Sequence, residues 1–251
     1  MKIALIQTNL FWDNPEENRK IFEEKINTIN NQVDLIVLPE MFTSGFSMNP
    51  NYIAETMDGK TIAMLKKLAK TKNCAITGSL AINENSKFYN RMIFVFPDGT
   101  IEYYDKKHLF TLAGEDKIYC AGIKKVIVNF RNFKICLQIC YDLRFPSFAR
   151  NLEDYDALIY VANWPETRIN AWNILLKARA VENMCFVIGV NRIGVDGNNL
   201  NYNGQSQVID YIGNELIEPQ TKDDIFLITL NKQEMIATRE NLSFLKDRDK
   251  F

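Results

Sequence analysis

The chain has 251 residues, of which 47% are apolar and 24% charged, with Lys+Arg 30 against Asp+Glu 31 and a net charge of -1. A chain of this length can bury a sizeable core. Its balanced charge lacks the positive excess that nucleic-acid or membrane-surface binding requires, so neither partner is expected. One histidine, His108, excludes a multi-histidine metal site; Cys74, Cys120, Cys136, Cys140 and Cys185 form no CxxC pair, which argues against a zinc ribbon or a thioredoxin-like motif.

The opening "MKIALIQTNLFW" is broken by Gln7, Thr8 and Asn9, too short and polar for a signal peptide. No run of about 18 apolar residues follows it. The expectation is a cytosolic protein with reduced thiols. Residues 2–9 read as a buried strand. "DNPEENRKIFEEKINTINNQ" reads as a helix, with Asn14 placed to cap it, Pro15 at its first position, Glu17 completing a capping box, and Ile21, Phe22, Ile26 and Ile29 on one face. "DLIVLPE" is a short, continuous apolar run, the mark of a strand buried on both faces.

Residues 61–72 repeat the helical pattern with Ile62, Leu65, Leu68 and Ala69, and "CAITGSLAI" is the next strand. "RMIFVFPDGTIEYYDK" predicts a hairpin around Pro97-Asp98-Gly99. "KKVIVNF" and "FKICLQI" predict another strand pair. The second half follows with a helix over 145–153, strand "DALIYVAN", a helix over 169–184, strand "CFVIGVN", hairpin "QSQVIDYIGNEL", strand "DIFLITL" and a helix over 232–242. No linker, repeat or low-complexity segment divides the chain, so one domain over 1–251 is expected. Alternating strands and helices with interspersed hairpins predict an α/β fold, with helices covering mixed sheets.

Open α/β sheets place their chemistry beyond the carboxyl ends of strands, and three polar residues fall there. Glu40 follows "DLIVLP", where Pro39 ends the strand, and Met41, Phe42 and Phe46 come next; a carboxylate in such apolar company suits proton transfer. Lys106, Lys107 and His108 follow "IEYYD", and strand alternation points one lysine inward, where it could hold an oxyanion. Cys140 follows "FKICLQI", on a face shared with Cys136 and Gln138, before the chain turns into "YDLRFPSFARN". A nucleophile at such a corner is exposed near backbone N–H groups that favour a thiolate and an oxyanion. Taken singly, each residue also reads as ordinary: a solvated carboxylate, a solvated charge pair, a cysteine packed as a hydrophobe. Together they form a set that needs no histidine.

"LPEMF", "YDKKHLF" and "ICYDLRFP" resemble the three catalytic motifs of the nitrilase superfamily, carbon–nitrogen hydrolases with a Glu-Lys-Cys triad. The resemblance implies a four-layer α-β-β-α sandwich, with Glu40 as general base, Lys106 as the catalytic lysine and Cys140 as nucleophile. It implies that Glu115, in "LAGEDKIY", is a second glutamate near the lysine, that the Tyr141 backbone N–H completes an oxyanion site, and that His108 is structural. "VANWPETR", "KARAVENMCFVIGVNRIGVDG" and "YNGQSQVIDYIG" are similar to the bacterial omega-amidase branch, whose members hydrolyse the terminal amide of 2-oxo acids. On that basis the expected partners are a small amide and water. No metal or cofactor is expected, and the chain should form a homodimer or larger homo-oligomer.

A remote substrate carboxylate would call for a guanidinium. Arg168 is the first candidate, then Arg144 and Arg192; Arg144 could instead pair with Asp142. Phe42 and Trp164 are candidate pocket walls. Lys106 is expected to lower the pKa values of Cys140 and Glu40. Competing readings are an N-carbamoyl-amino-acid hydrolase, another small-amide amidase, and a catalytically silent scaffold.

Overall fold

The apolar runs become strands buried on both faces. The computed structural model describes residues 1–30 and 32–249. The first half supplies β1 (Lys2–Gln7), β2 (Leu35–Val37), β3 (Ala75–Glu84), β4 (Lys87–Val95) and β5 (Ile101–Asp105). The second half supplies β6 (Val126–Phe130), β7 (Phe133–Ile139), β8 (Ala157–Val161), β9 (Phe186–Val190), the short hairpin β10 (Ile193–Val195) and β11 (Asn201–Asn203), then β12 (Ser206–Ile209), β13 (Glu215–Gln220) and β14 (Asp224–Thr229). The helices are α1 (Pro15–Thr28), α2 (Pro50–Ile53), α3 (Lys60–Lys72), α4 (Pro146–Ala149), α5 (Ile169–Asn183) and α6 (Lys232–Leu242).

Two six-stranded sheets result, ordered β14-β1-β2-β3-β4-β5 and β13-β12-β9-β8-β7-β6. They share one plan. Three parallel strands, β1-β2-β3 in one and β7-β8-β9 in the other, sit in the middle, flanked by antiparallel neighbours. One apolar cluster lies between the sheets, joining Leu5, Val37 and Phe94 to Leu137, Ile159 and Ile188. A second packs the outer face of the first sheet under α1 and α3, and a third packs the second sheet under α5. Helix, sheet, sheet, helix is the expected four-layer sandwich.

Local signals explain the element ends. Asn14 Oδ1 accepts the Glu17 N–H at 3.2 Å with Pro15 in the first turn of α1, as the capping pattern predicts. Asn31, at the end of that predicted stretch, lies outside the described residues. The β4–β5 turn closes at Gly99 (φ +86°), a conformation glycine adopts without a Cβ penalty. The helix expected over 145–153 is shorter. It is a single turn, α4, because buried Asn151 binds the Tyr155 N–H and carbonyl and the Asn183 carbonyl instead of continuing a helical ladder. No helix among the described residues is long and apolar enough to cross a membrane.

Candidate active site

Four strand ends converge. Glu40 follows β2, Lys106 follows β5, Cys140 follows β7 and Asn163 follows β8. Glu40, Lys106 and Glu115 are buried to 0%, 1% and 0% exposure. Lys106 Nζ donates to Glu40 Oε1 at 2.9 Å and to Glu115 Oε1 and Oε2 at 3.1 and 2.9 Å, with the Phe46 ring 4.9 Å away. Strand alternation is respected: Lys107 is only half-buried beside it. Burial alone would depress the Lys106 ammonium, but the charges of Glu115 and Glu40 outweigh it and hold the lysine protonated well above its usual range. Burial, reinforced by Glu40 and opposed by Lys106, pushes Glu115 upward.

The corner that carries Cys140 is strained. Cys140 takes φ +43°, a left-handed conformation that costs a non-glycine residue about 1–3 kcal/mol and marks functional corners. Met41, next to Glu40, has the same φ of +43°. The turn lifts Cys140 out of the strand: Cys136 packs only under α5, whereas Cys140 touches both the inter-sheet core and the α5 cluster. A 3-10 turn over Cys140–Arg144 begins here, so the Tyr141 N–H falls in its first turn, where no intrahelical acceptor exists. Asp142 ties the corner down. Its carboxylate accepts the Ile139 N–H at 2.9 Å, the Tyr104 hydroxyl at 2.7 Å, the His108 N–H at 2.9 Å and the His108 Nδ1–H at 2.8 Å. His108 also stacks on Phe145 at 3.8 Å, which is a structural setting. The ion pair of Arg144 with Asp142 does not form; Asp142 is fully engaged elsewhere.

The expected lowering of the Cys140 thiol is overturned. Burial first, then the charge of Glu40, push it well above its ordinary value, and Lys106 only partly opposes them. Two carboxylates surround one ammonium, so the local field disfavours a thiolate, and attack needs proton transfer to an adjacent base.

A cavity of about 540 Å³ opens onto Glu40, Lys106 and Cys140, within the size range of small-ligand sites. Trp164, as expected, is one of its walls, with Phe46, Phe110 and Tyr202. Phe42 is not: it lies in the core beneath, edge-on to Phe22 at 5.0 Å. Arg144 and Arg168 line the cavity, stacked over Trp164 and Phe110 at 5.0 and 5.2 Å, and neither pairs with a carboxylate among the described residues. Arg192 is outside it. It is fully buried, donates to Asn9 Oδ1 and to the Leu10, Ile193 and Val195 carbonyls, and its guanidinium is pushed down to about 10 by burial.

Two residues absent from the sequence expectations complete the site. Asn163 donates its backbone N–H to Glu40 Oε2 at 2.8 Å and its side-chain amide to the Glu40 carbonyl at 2.6 Å. Asn90 donates to both Glu40 Oε1 and Glu115 Oε1, at 2.9 and 3.1 Å. Each is a lone amide in or just after an apolar strand, and that interruption was the available signal.

The chain is similar to known proteins over its whole length. The carbon-nitrogen hydrolase family model matches residues 2–240. An omega-amidase YafV from Yersinia enterocolitica is 41% identical, over 100% of this chain and 98% of its own length. A 2-oxoglutaramate amidase from Bacillus subtilis is 33% identical, over 98% and 96%. Among solved structures, XC1258 from Xanthomonas campestris, a CN-hydrolase superfamily protein with an arsenic adduct in its active site, superposes with a TM-score of 0.97 at 40% identity, covering 100% of this chain and 98% of that one. The chain belongs to the carbon–nitrogen hydrolase family, the nitrilase superfamily that its three motifs resemble.

Proposed function

We propose that the chain is an omega-amidase that hydrolyses the terminal amide of small 2-oxo dicarboxylic acid monoamides, such as 2-oxoglutaramate. The observation that carries this reading is a buried Glu40–Lys106–Glu115 cluster that shares a pocket with a cysteine on a strained corner and with two guanidinium groups that pair with no carboxylate among the described residues. Its likeness to omega-amidases and 2-oxoglutaramate amidases supports the substrate class.

In this reading Glu40 takes the Cys140 proton as sulfur attacks the amide carbon. The S–C bond forms and the carbonyl π pair moves to oxygen, which Lys106 and the Tyr141 N–H hold. The pair returns, the C–N bond breaks, and Glu40 gives its proton to the departing ammonia. Water then attacks the thioester, Glu40 takes its proton, and the collapsing intermediate releases the acid and returns the thiol. Arg168, with Arg144, holds the remote carboxylate, and Trp164 and Phe110 flank it.

The same reading has the enzyme working in the cytosol as a homodimer or larger homo-oligomer. Ile174 and Val181 on α5, with Ile212 beside them, are 59%, 50% and 51% exposed, an apolar face that a second copy would cover. Sedimentation at micromolar concentration checks this, and a monomer would contradict it. Substrate is tested by an ammonia-release screen over ω-amides of 2-oxo acids, N-carbamoyl amino acids and nitriles. Turnover of the ω-amides ahead of the others is expected; preference for a carbamoyl amino acid would move the chain to another branch of the family.

A further inference from the structure

Asn90 sits in the middle of β4, fully buried, in a run that is otherwise apolar toward the active site. Its contacts touch every part of the charged cluster. Its side-chain nitrogen bridges Glu40 Oε1 and Glu115 Oε1, and its backbone carbonyl accepts the Lys106 N–H at 3.0 Å. Its side-chain orientation is fixed from behind. The Met41 N–H donates to Ser79 Oγ at 2.9 Å, so the Ser79 hydroxyl hydrogen is free for Asn90 Oδ1, 2.8 Å away. A flipped amide would aim its oxygen at two carboxylates. The chain Met41 to Ser79 to Asn90 therefore runs in one direction and ends by donating to both glutamates.

This has a consequence for Glu40. A carboxylate offers about four acceptor sites, two on each oxygen. Oε1 takes Lys106 and Asn90; Oε2 takes the Asn163 N–H. One site is left, on Oε2; the Cys140 Sγ–H points to the carbonyl of Asn163 at 3.9 Å, the residue whose N–H holds Oε2, and all three residues line the cavity. We infer that Asn90, locked by Ser79, is a positioning residue that keeps Glu40 as proton acceptor and directs the Cys140 proton to Oε2. In that transfer the S–H bond breaks, its electron pair goes to the new S–C bond, and the proton forms an O–H bond on Oε2. The inference rests on the amidase reading of the site.

The titratable groups facing this cluster are Glu40, Glu115, Lys106 and Cys140, with Tyr119 beside them. The Tyr119 phenol feels Glu115, Asp13, Lys106 and Glu40, and its hydroxyl donates to the Ser47 carbonyl. Losing a donor to the ionised carboxylates lets the cluster take up a proton at higher pH, so the acid limb of activity moves up.

The test uses Asn90→Ala and the milder Ser79→Ala, which keeps the amide but frees it to turn. For Asn90→Ala the acid limb of kcat/KM should move up by about one pH unit, the size of one charge-assisted hydrogen bond, and kcat should fall about tenfold or more. Ser79→Ala should shift the same limb in the same direction by less. The same limb is read without substrate from the rate of Cys140 alkylation by iodoacetamide against pH. Should wild-type protein release no ammonia from any amide, the amidase reading fails, while the alkylation profiles still decide the role of Asn90. Wild-type limbs in both folded variants, with only thermal stability changed, would overturn the positioning role.

Discussion

Cys136 and Cys140 lie four residues apart on one strand and its exit, and both thiols are pushed up by burial, Cys136 to about 12. The difference is in backbone and neighbours. Cys136 keeps extended geometry inside β7 and packs under α5, where burial, ahead of the charges of Lys125, Glu153 and Asp142, sets its thiol. Cys140 is turned out by φ +43° into the cavity it shares with Glu40 and Lys106, beside the first N–H groups of a 3-10 turn. Burial alone makes an inert thiol. A buried thiol becomes a nucleophile only where a base stands ready for its proton, and in the proposed mechanism that place is the strand end and not the strand itself.

The sharpest way to break that contrast is to remove each sulfur. Cys140→Ala should lower ammonia release by at least about 10³-fold, whereas Cys136→Ala should leave kcat within a few-fold. Equal losses would mean the two sites do not differ. Glu40→Gln keeps the shape and removes the base, and should cost about 10²–10⁴-fold in kcat. Arg168→Ala should raise KM about tenfold or more for a substrate with a remote carboxylate and much less for a neutral amide, the loss of one charge-assisted contact. If the two substrates suffered equally, Arg168 would be holding the fold and not the carboxylate. At the small end, His108→Ala should cost about 1–3 kcal/mol of stability through the lost Asp142 bond, with kcat changed less than tenfold, since the ring braces the corner without facing the cavity.

Much of this was legible in the sequence where local rules decide. The apolar runs gave buried strands, the Asn14-Pro15 start gave α1, and the polar residues after β2, β5 and β7 do converge. What was hidden depends on contacts across the fold. Arg192 follows a strand like a pocket residue, yet it turns to the carbonyl of Leu10, 182 positions away. Phe42 and Phe46 look interchangeable in "MFTSGF", and the turn between them, closed by the Ser44 and Gly45 N–H groups on the Met41 carbonyl with Gly45 at φ +74°, sends one to the core and the other to the cavity. The Cys140 thiol moved opposite to expectation because its burial, which depends on contacts across the fold, outweighs Lys106, and the charges of Glu40 and Glu115 add to it.

The most direct measurement is to quench the enzyme during turnover of an ω-amide and map the acyl adduct by mass spectrometry. Trypsin leaves Cys136 and Cys140 on one peptide, 135–144, so fragment ions must place the adduct between them. An acyl group on Cys140 alone, absent from Glu40→Gln, is the expected result. An adduct on Cys136, or full turnover with no acylated peptide at any quench time, would contradict a thioester mechanism at the strand end.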